Sequence, residues 1–118
     1  MSERNDEDLY IASLTVAEVF RGVLKKPPGR RRDLLEAWFR GPDGLQALFA
    51  GRILTFDEAS GLIWARLMSE GKAQGRPRRA LDMIIAAVAE SNGCVVVTDN
   101  EKDFVGIDTV NPLRAALR

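Results

Sequence analysis

The sequence predicts an α/β fold, a three-layer α/β/α sandwich with a mostly parallel sheet. Short apolar runs that suit strands alternate along the chain with longer segments whose apolar residues recur at helical spacing. One run, CVVVT (residues 94–98), is β-branched almost throughout, which is typical of a parallel strand covered on both faces. Alternation of this kind places helices on the faces of a parallel sheet. The length of 118 residues suits one domain, and we assign residues 1–118 to it.

The first half of the chain supplies two of the strands and two helical segments. LYIASL (residues 9–14) is apolar and predicts a short strand. A stripe of apolar residues at helical spacing follows, and the two prolines of KKPPG (residues 25–29) end that helix. Residues 31–49 predict helix that is broken near GPDG (residues 41–44). RILTF (residues 52–56) predicts the second strand.

The second half of the chain has clearer helix boundaries. Asp57 is a good N-cap for a helix that ends before the loop at residues 71–77. Another helix follows, with its apolar face between Leu81 and Val88. Asn92 and Gly93 are suited to end this helix, and the CVVVT strand comes directly after them.

The composition excludes several kinds of site. Basic and acidic residues number 17 each, so the formal charge of zero argues against nucleic-acid binding through bulk charge. The absence of histidine excludes histidine acid–base catalysis, nucleophile systems that depend on histidine and the usual catalytic zinc sites. Cys94, the single cysteine, lies in an apolar run, and we expect a small core residue in a cytoplasmic protein. No segment approaches the roughly 18 apolar residues of a membrane span, so we expect no membrane partner.

Three carboxylates stand out, and each also has a structural explanation. TDNEKDF (residues 98–104) follows a strand at the sheet edge where α/β proteins bind ligands, so Asp103 is a ligand or a turn residue. Asp82 complements the dipole at a helix start, yet it borders the apolar face, where burial is costly without a partner. Thr15 and Glu18 have the spacing of a capping box. Taken singly, Asp103 and Glu18 favour the structural explanation. Together, the three acids would meet at one sheet edge and need a divalent cation there, such as Mg²⁺ or Mn²⁺.

Three segments then carry a family resemblance. YIASLTVAEVFRG, RPRRALDMIIAAVAESNGCVVVTDNEKDF and the closing VNP resemble the PIN-domain family, specifically the VapC-like ribonuclease toxins of bacterial toxin–antitoxin modules. In that family the acidic site is carried by Thr-x-x-Glu after a strand, by an Asp-x-x-Ile-Ala-Ala helix and by a Thr-x-Asn-x-x-Asp-Phe loop. The match runs from about Leu9 to Pro112 in the expected order. The residues that match here are Thr15, Glu18, Asp82, Ile85, Ala86, Ala87, Thr98, Asn100, Asp103 and Phe104.

The resemblance implies a metal-dependent endoribonuclease that uses Mg²⁺ or Mn²⁺ to cleave RNA phosphodiesters with an activated water. Glu18, Asp82 and Asp103 would be its catalytic residues and metal ligands. Asp99 stays open between a further ligand and a loop residue, and we favour the loop. The resemblance also implies a homodimer that is neutralised by a small antitoxin protein. The residues that support the site would be Thr15, Thr98 and Asn100.

Two basic segments lie at residues 21–32 and 75–79. Each alone is typical of a solvated loop. The second segment lies just before Asp82, and from its charge and position we infer contacts to RNA phosphates. The residues that would make them are Arg76, Arg78 and Arg79.

The start of the chain departs from the family pattern. The family begins with an apolar strand that ends in Asp-Thr-Asn or Asp-Thr-Ser and provides the first metal ligand, and no such strand precedes LYIASL here. We therefore expect an N-terminally truncated sheet with a slot between the LYIASL and CVVVT strands, where unpaired backbone groups would be costly. A start downstream of the true beginning, a degenerate copy and a neighbouring molecule that fills the gap all remain open.

Three functions follow from these observations. The first is a ribonuclease that retains its metal site. The second is an inactive module that binds an antitoxin through its first two helices, or that binds another protomer. The third is an unrelated doubly wound domain that uses its acidic edge as a phospho-acceptor, and the missing strand-end aspartate counts against it.

Overall fold

The computed structural model describes residues 9–98 and 101–110. The chain divides into two compact units, one ending at Thr55 and the other beginning at Phe56. Asp99 and Asn100, which the sequence places near the candidate acidic site, lie outside the described residues. Each unit combines helices with a pair of parallel strands, so the α/β class and the parallel strand direction are confirmed.

The first unit begins with a short strand that leads directly into a helix. Strand β1 pairs in parallel with β2 through Ile11 opposite Ile53 and Ala12 opposite Leu54. The predicted helix between LYIASL and KKPPG is confirmed, and so is the break near GPDG. The elements of this unit are β1 Ile11–Ala12, α1 Ser13–Leu24, α2 Arg30–Arg40, α3 Leu45–Leu48 and β2 Ile53–Leu54.

The rings of Phe20 and Phe39 are central to the packing of the first unit. Their centroids lie 4.9 Å apart, and Phe39 is almost fully buried. An aromatic pair at this separation adds to the free energy gained by burying both rings. The chain turns sharply after α2, and a Cβ atom on Gly44 would lie only 1.9 Å from the carbonyl oxygen of Trp38. The close approach of these backbones therefore requires glycine at position 44.

The second unit is built on two helices that pack side by side. The first of these helices is capped as predicted, because the Asp57 carboxylate accepts a 2.9 Å hydrogen bond from the Ser60 amide. Asn92 and Gly93 end the second helix as expected, with Gly93 at a φ of 67°. The elements of this unit are α4 Glu58–Ala73, α5 Ala80–Ser91, β3 Val96–Val97, a 3₁₀ turn at Glu101–Phe104 and β4 Thr109–Val110.

The core of the second unit joins both helices to β3 and to the 3₁₀ turn. Met83 belongs to this core and is 0% exposed. Trp64 packs at the edge of this core and donates a 3.1 Å hydrogen bond from Nε1 to the carbonyl oxygen of Ala80. Phe104 anchors the 3₁₀ turn in the core, and β3 pairs in parallel with β4 through Val96 opposite Thr109. The buried members are Leu67, Met83, Ala86, Ala87, Val96 and Phe104.

The predicted strands are longer than the observed ones. LYIASL forms a strand at two residues only, and α1 already begins at Ser13. CVVVT was expected to be covered on both faces, which is wrong for the described structure, because Val95 is 39% exposed and Val97 is 48% exposed. Strand β3 has one neighbouring strand, β4, among the described residues, so little surrounds those side chains. Cys94 is only partly buried, so the prediction of a core residue is also wrong.

None of the helices among the described residues is both long enough and apolar enough to span a membrane.

Candidate functional site

Asp82 occupies the first turn of α5, as the sequence predicted. The side chain is half buried, and Oδ2 is fully buried with no hydrogen-bond partner among the described residues. Its neighbours on the helix include Met83 and Ala86, both buried in the core. A carboxylate oxygen without a partner in such surroundings carries a desolvation cost that a bound cation would offset.

Asp103 lies in the 3₁₀ turn that follows β3. Its side chain is 20% exposed, and its Oδ2 lies 3.8 Å from Nη1 of Arg79, the residue that caps α5. The next residue, Phe104, is buried in the core and fixes the turn there. Thr98, at the end of β3, is half buried. The turn and the start of α5 therefore hold an acid and a base within ion-pair distance of each other.

A basic pocket of about 130 Å³ opens beside Asp103. Cationic side chains form much of its wall, and Arg76, Arg79 and Lys102 are exposed to solvent. Sequence reasoning did not select Lys102 or Gln74. For Lys102 the signal was its place in TDNEKDF directly before Asp103, whereas Gln74 has no sequence signal. The residues that line the pocket are Gln74, Arg76, Pro77, Arg78, Arg79, Lys102, Asp103 and Val105.

Arg78 differs from the other arginines of the pocket, because only 10% of its side chain is exposed. Nη1 donates a 2.7 Å hydrogen bond to the carbonyl oxygen of Leu67, and Nη2 donates a 3.2 Å hydrogen bond to that of Val105. Arg79 by contrast is 76% exposed. Arg76 and Arg79 are therefore accessible enough for the predicted contact to RNA phosphate. The Arg78 guanidinium, by contrast, is already hydrogen-bonded within the protein.

Glu18 and Thr15 lie on α1 in the first unit, where Glu18 is exposed and Thr15 is half buried. The capping box suggested by their spacing is wrong. Helix α1 begins two residues before Thr15, and its N-cap is Ala12, which has no side chain that can accept a hydrogen bond. The structure therefore removes the local explanation for a glutamate at position 18.

Within the described part of the chain, no group of three acidic, cysteine or histidine side chains lies close enough to hold a metal ion. The donor chemistry still fits a divalent cation in part. Asp82 supplies a buried oxygen without a protein partner, and Asp103 supplies a carboxylate that already faces a positive charge. Oxygen donors of this kind are those that Mg²⁺ and Mn²⁺ prefer.

The site thus combines acids at the start of a helix and in the turn after a parallel strand with a basic pocket beside them, in a protein of the α/β class. The model of the PIN domain family matches residues 2–109, and the chain belongs to that family. The fold and the family predicted from the sequence are therefore confirmed.

Two relatives of this chain share more than a third of their aligned residues with it. The chain is 37% identical over 112 residues to VapC ribonuclease Y4jK of Sinorhizobium fredii, which covers 93% of this chain and 79% of that protein. It is 36% identical over 102 residues to Toxin FitB of Neisseria gonorrhoeae, with 86% of this chain and 72% of FitB covered. The crystal structure of FitAcB from Neisseria gonorrhoeae superimposes with a TM-score of 0.86 at 33% identity, over 93% of this chain and 79% of the other. The homologues of this chain thus include a ribonuclease and a toxin.

Proposed function

We propose that the protein is a metal-dependent endoribonuclease, the toxin of a type II toxin–antitoxin module. The observation that carries the proposal is the buried Oδ2 of Asp82, which has no partner among the described residues of a chain whose relatives include a VapC ribonuclease. Asp82 and Asp103 are the proposed metal ligands in the second unit. Glu18 is proposed as a metal ligand on the family motif alone.

Each residue of the second unit has a distinct part in this function. A bound Mg²⁺ or Mn²⁺ ion would supply an activated water and stabilise the charge on the phosphate under attack. Asp82 contributes the carboxylate oxygen that lacks a protein partner, and Asp103 contributes a carboxylate held in place by the buried Phe104. Arg76, Arg79 and Lys102 hold RNA phosphates at the pocket, since guanidinium and ammonium groups bind phosphate oxygens strongly. The hydrogen bonds of the Arg78 guanidinium to Leu67 and Val105 argue against the phosphate contact that its charge and position had suggested.

Calorimetric titration with Mn²⁺ tests the metal site directly. We expect saturable binding to the wild-type protein that Asp82→Asn loses, because an amide replaces the charged ligand. Glu58→Gln is the matched control, since Glu58 is an exposed carboxylate in the first turn of α4 and should leave binding unchanged. RNA cleavage should then require the metal and disappear in Asp82→Asn. Equal binding to both proteins, or none to either, would contradict the proposed site.

Two observations favour a second candidate, an inactive module that binds an antitoxin. The described residues hold no group of three metal-binding side chains. In addition, two large apolar side chains of α2 are exposed to solvent, Leu34 at 60% and Trp38 at 44%. A partner helix would cover this apolar surface. Binding of the cognate antitoxin through α1 and α2, with no RNA cleavage at any Mn²⁺ concentration, would support this candidate over the ribonuclease.

The remaining proposals follow from the same family. We infer a homodimer, which sedimentation equilibrium would test, and a neutralising antitoxin as the protein partner. The cytoplasm is the proposed compartment, because one partly buried free thiol suits reducing conditions.

A further inference from the structure

Arg78 connects two separate parts of the second unit. Its guanidinium donates to the carbonyl oxygen of Leu67 in α4 at 2.7 Å and to that of Val105 at 3.2 Å. Nη1 also lies 3.6 Å from Oε1 of Glu70, so a carboxylate balances its charge. Val105 directly follows the 3₁₀ turn that carries Asp103. One side chain thus ties α4 to the segment beside a proposed metal ligand.

Two glycines make room for this side chain. A Cβ atom on Gly106 would lie 2.8 Å from Nη2 of Arg78, and a Cβ on Gly71 would lie 2.9 Å from its Cγ. Gly106 also has a φ of 84°, a left-handed conformation that suits glycine. The guanidinium and its stem therefore fill a space that larger residues at either position would close.

These contacts fix the turn rather than leave the arginine for a ligand. A charged donor to a carbonyl oxygen is stronger than a neutral one, and two such bonds from one planar group define both distance and angle. The turn is closed on its other side by a 3.0 Å hydrogen bond from the Ile107 amide to the Phe104 carbonyl oxygen. Asp103 is therefore followed directly by two fixed residues, the buried Phe104 and then Val105, whose carbonyl oxygen Arg78 holds.

We propose that Arg78 is the positioning residue of Asp103, through its hydrogen bonds to Leu67 and Val105, and is not a contact to RNA phosphate. The proposal rests on the proposed function, in which Asp103 binds the metal. It differs from the role inferred from charge alone, and the two roles give opposite results in the same experiments.

The test compares Mn²⁺ affinity in a double-mutant cycle. Arg78→Gln should weaken Mn²⁺ binding by about tenfold or more, as expected for partners that orient metal ligands. In the Asp103→Asn background, Arg78→Gln should cause no further loss, because the ligand on which it acts is already gone. Additive losses would mean that Arg78 acts on the site by some other route and would overturn the proposal.

The salt dependence of RNA binding to metal-free protein separates the two roles. Loss of one phosphate contact reduces the slope of log affinity against log salt by about 0.7 for single-stranded RNA. Arg76→Gln should show this reduction, and Arg78→Gln should not. A reduction in Arg78→Gln with unchanged Mn²⁺ affinity would assign the residue to RNA and overturn the proposal.

A charge-neutral variant covers the case in which Arg78→Gln fails to fold. Gly106→Ala displaces Nη2 of Arg78 and should weaken Mn²⁺ binding without changing the salt slope. Gly75→Ala is the matched control, because Gly75 has a similar φ of 69° and nothing within 4 Å of the added Cβ. Equal Mn²⁺ affinity in the two alanine variants would contradict the proposal.

Hydrogen exchange keeps the test separate from the proposed metal site. The Ile107 amide should exchange faster in Arg78→Gln and Gly106→Ala than in wild type or in Gly75→Ala, with no metal present. Absence of Mn²⁺ binding to wild-type protein would refute the proposed function, and the exchange rates alone would then decide whether Arg78 anchors the turn. Unchanged exchange would overturn the anchoring as well.

Discussion

At the scale of single residues, Asp82 illustrates how the surroundings of a carboxylate decide what it costs. Its place in the first turn of α5 stabilises the negative charge by about 0.3–1 kcal/mol through the helix dipole. The buried Oδ2 without a partner among the described residues costs about 1–3 kcal/mol or more. The second effect is the larger, so the acid is unfavourable for stability in the absence of a cation.

This balance predicts the stability of Asp82→Ala. In EDTA we expect the free energy of unfolding of the variant to equal that of wild type or to exceed it by up to about 1 kcal/mol, because the uncompensated oxygen is removed. Saturating Mn²⁺ should raise the Tm of the wild-type protein and not that of the variant. Thermal unfolding followed by circular dichroism measures both. A clear loss of stability in EDTA would show that Asp82 has a structural partner.

At the scale of elements, helices were easier to predict from the sequence than strands. The apolar stripes of α1, α4 and α5 run for several turns, so their period is unambiguous, and Asp57 and Asn92 mark two of their ends. Each strand among the described residues is two residues long, which is too short to show an alternation of apolar and polar residues. Strand β4 at Thr109–Val110 was not predicted, because its pairing with β3 comes from tertiary structure.

The cap of α4 predicts a dependence on pH. The hydrogen bond from the Ser60 amide lowers the pKa of Asp57 below its ordinary value. The ionised cap therefore stabilises the folded protein above the unfolded pKa of about 4, and this contribution is lost as the pH falls through the lower folded pKa. Asp57→Asn keeps a capping oxygen without the charge. Urea unfolding from pH 7 to about pH 3 should show the stability of wild type declining towards that of the variant, and a constant difference would contradict this.

At the scale of the whole molecule, charge is balanced and only its local distribution can attract RNA. The formal charge is zero, with basic segments at residues 21–32 and 75–79. The sequence could not rank them, because each is typical of a solvated loop. The arginines of the second segment line a pocket together with Lys102 and Asp103, which is why we propose this segment for the RNA contacts. The acids were found from the sequence through their motifs, whereas the pocket depends on the fold of the 3₁₀ turn.

We therefore expect the two basic segments to differ in RNA binding. The double variant Arg76→Gln with Lys102→Gln should bind single-stranded RNA more weakly and reduce the salt slope by about 1.4, twice the value for one contact. Arg30→Gln with Arg31→Gln removes the same charge from the exposed start of α2 and should change neither quantity. Fluorescence anisotropy over a range of salt concentrations measures both. Equal effects of the two double variants would show that RNA binds without preference for the pocket.

The two tryptophans of the sequence fall in different units, Trp38 on α2 and Trp64 on α4. Trp38 is 44% exposed, whereas Trp64 is half buried. Trp64 donates a hydrogen bond to Ala80, the first residue of α5, the helix that carries Asp82. Each unit therefore contains its own native optical reporter. Trp38→Phe leaves an emission signal from the second unit, and Trp64→Phe leaves one from the first. Comparing the two unfolding curves would show, without any added label, whether the two units unfold together or one after the other.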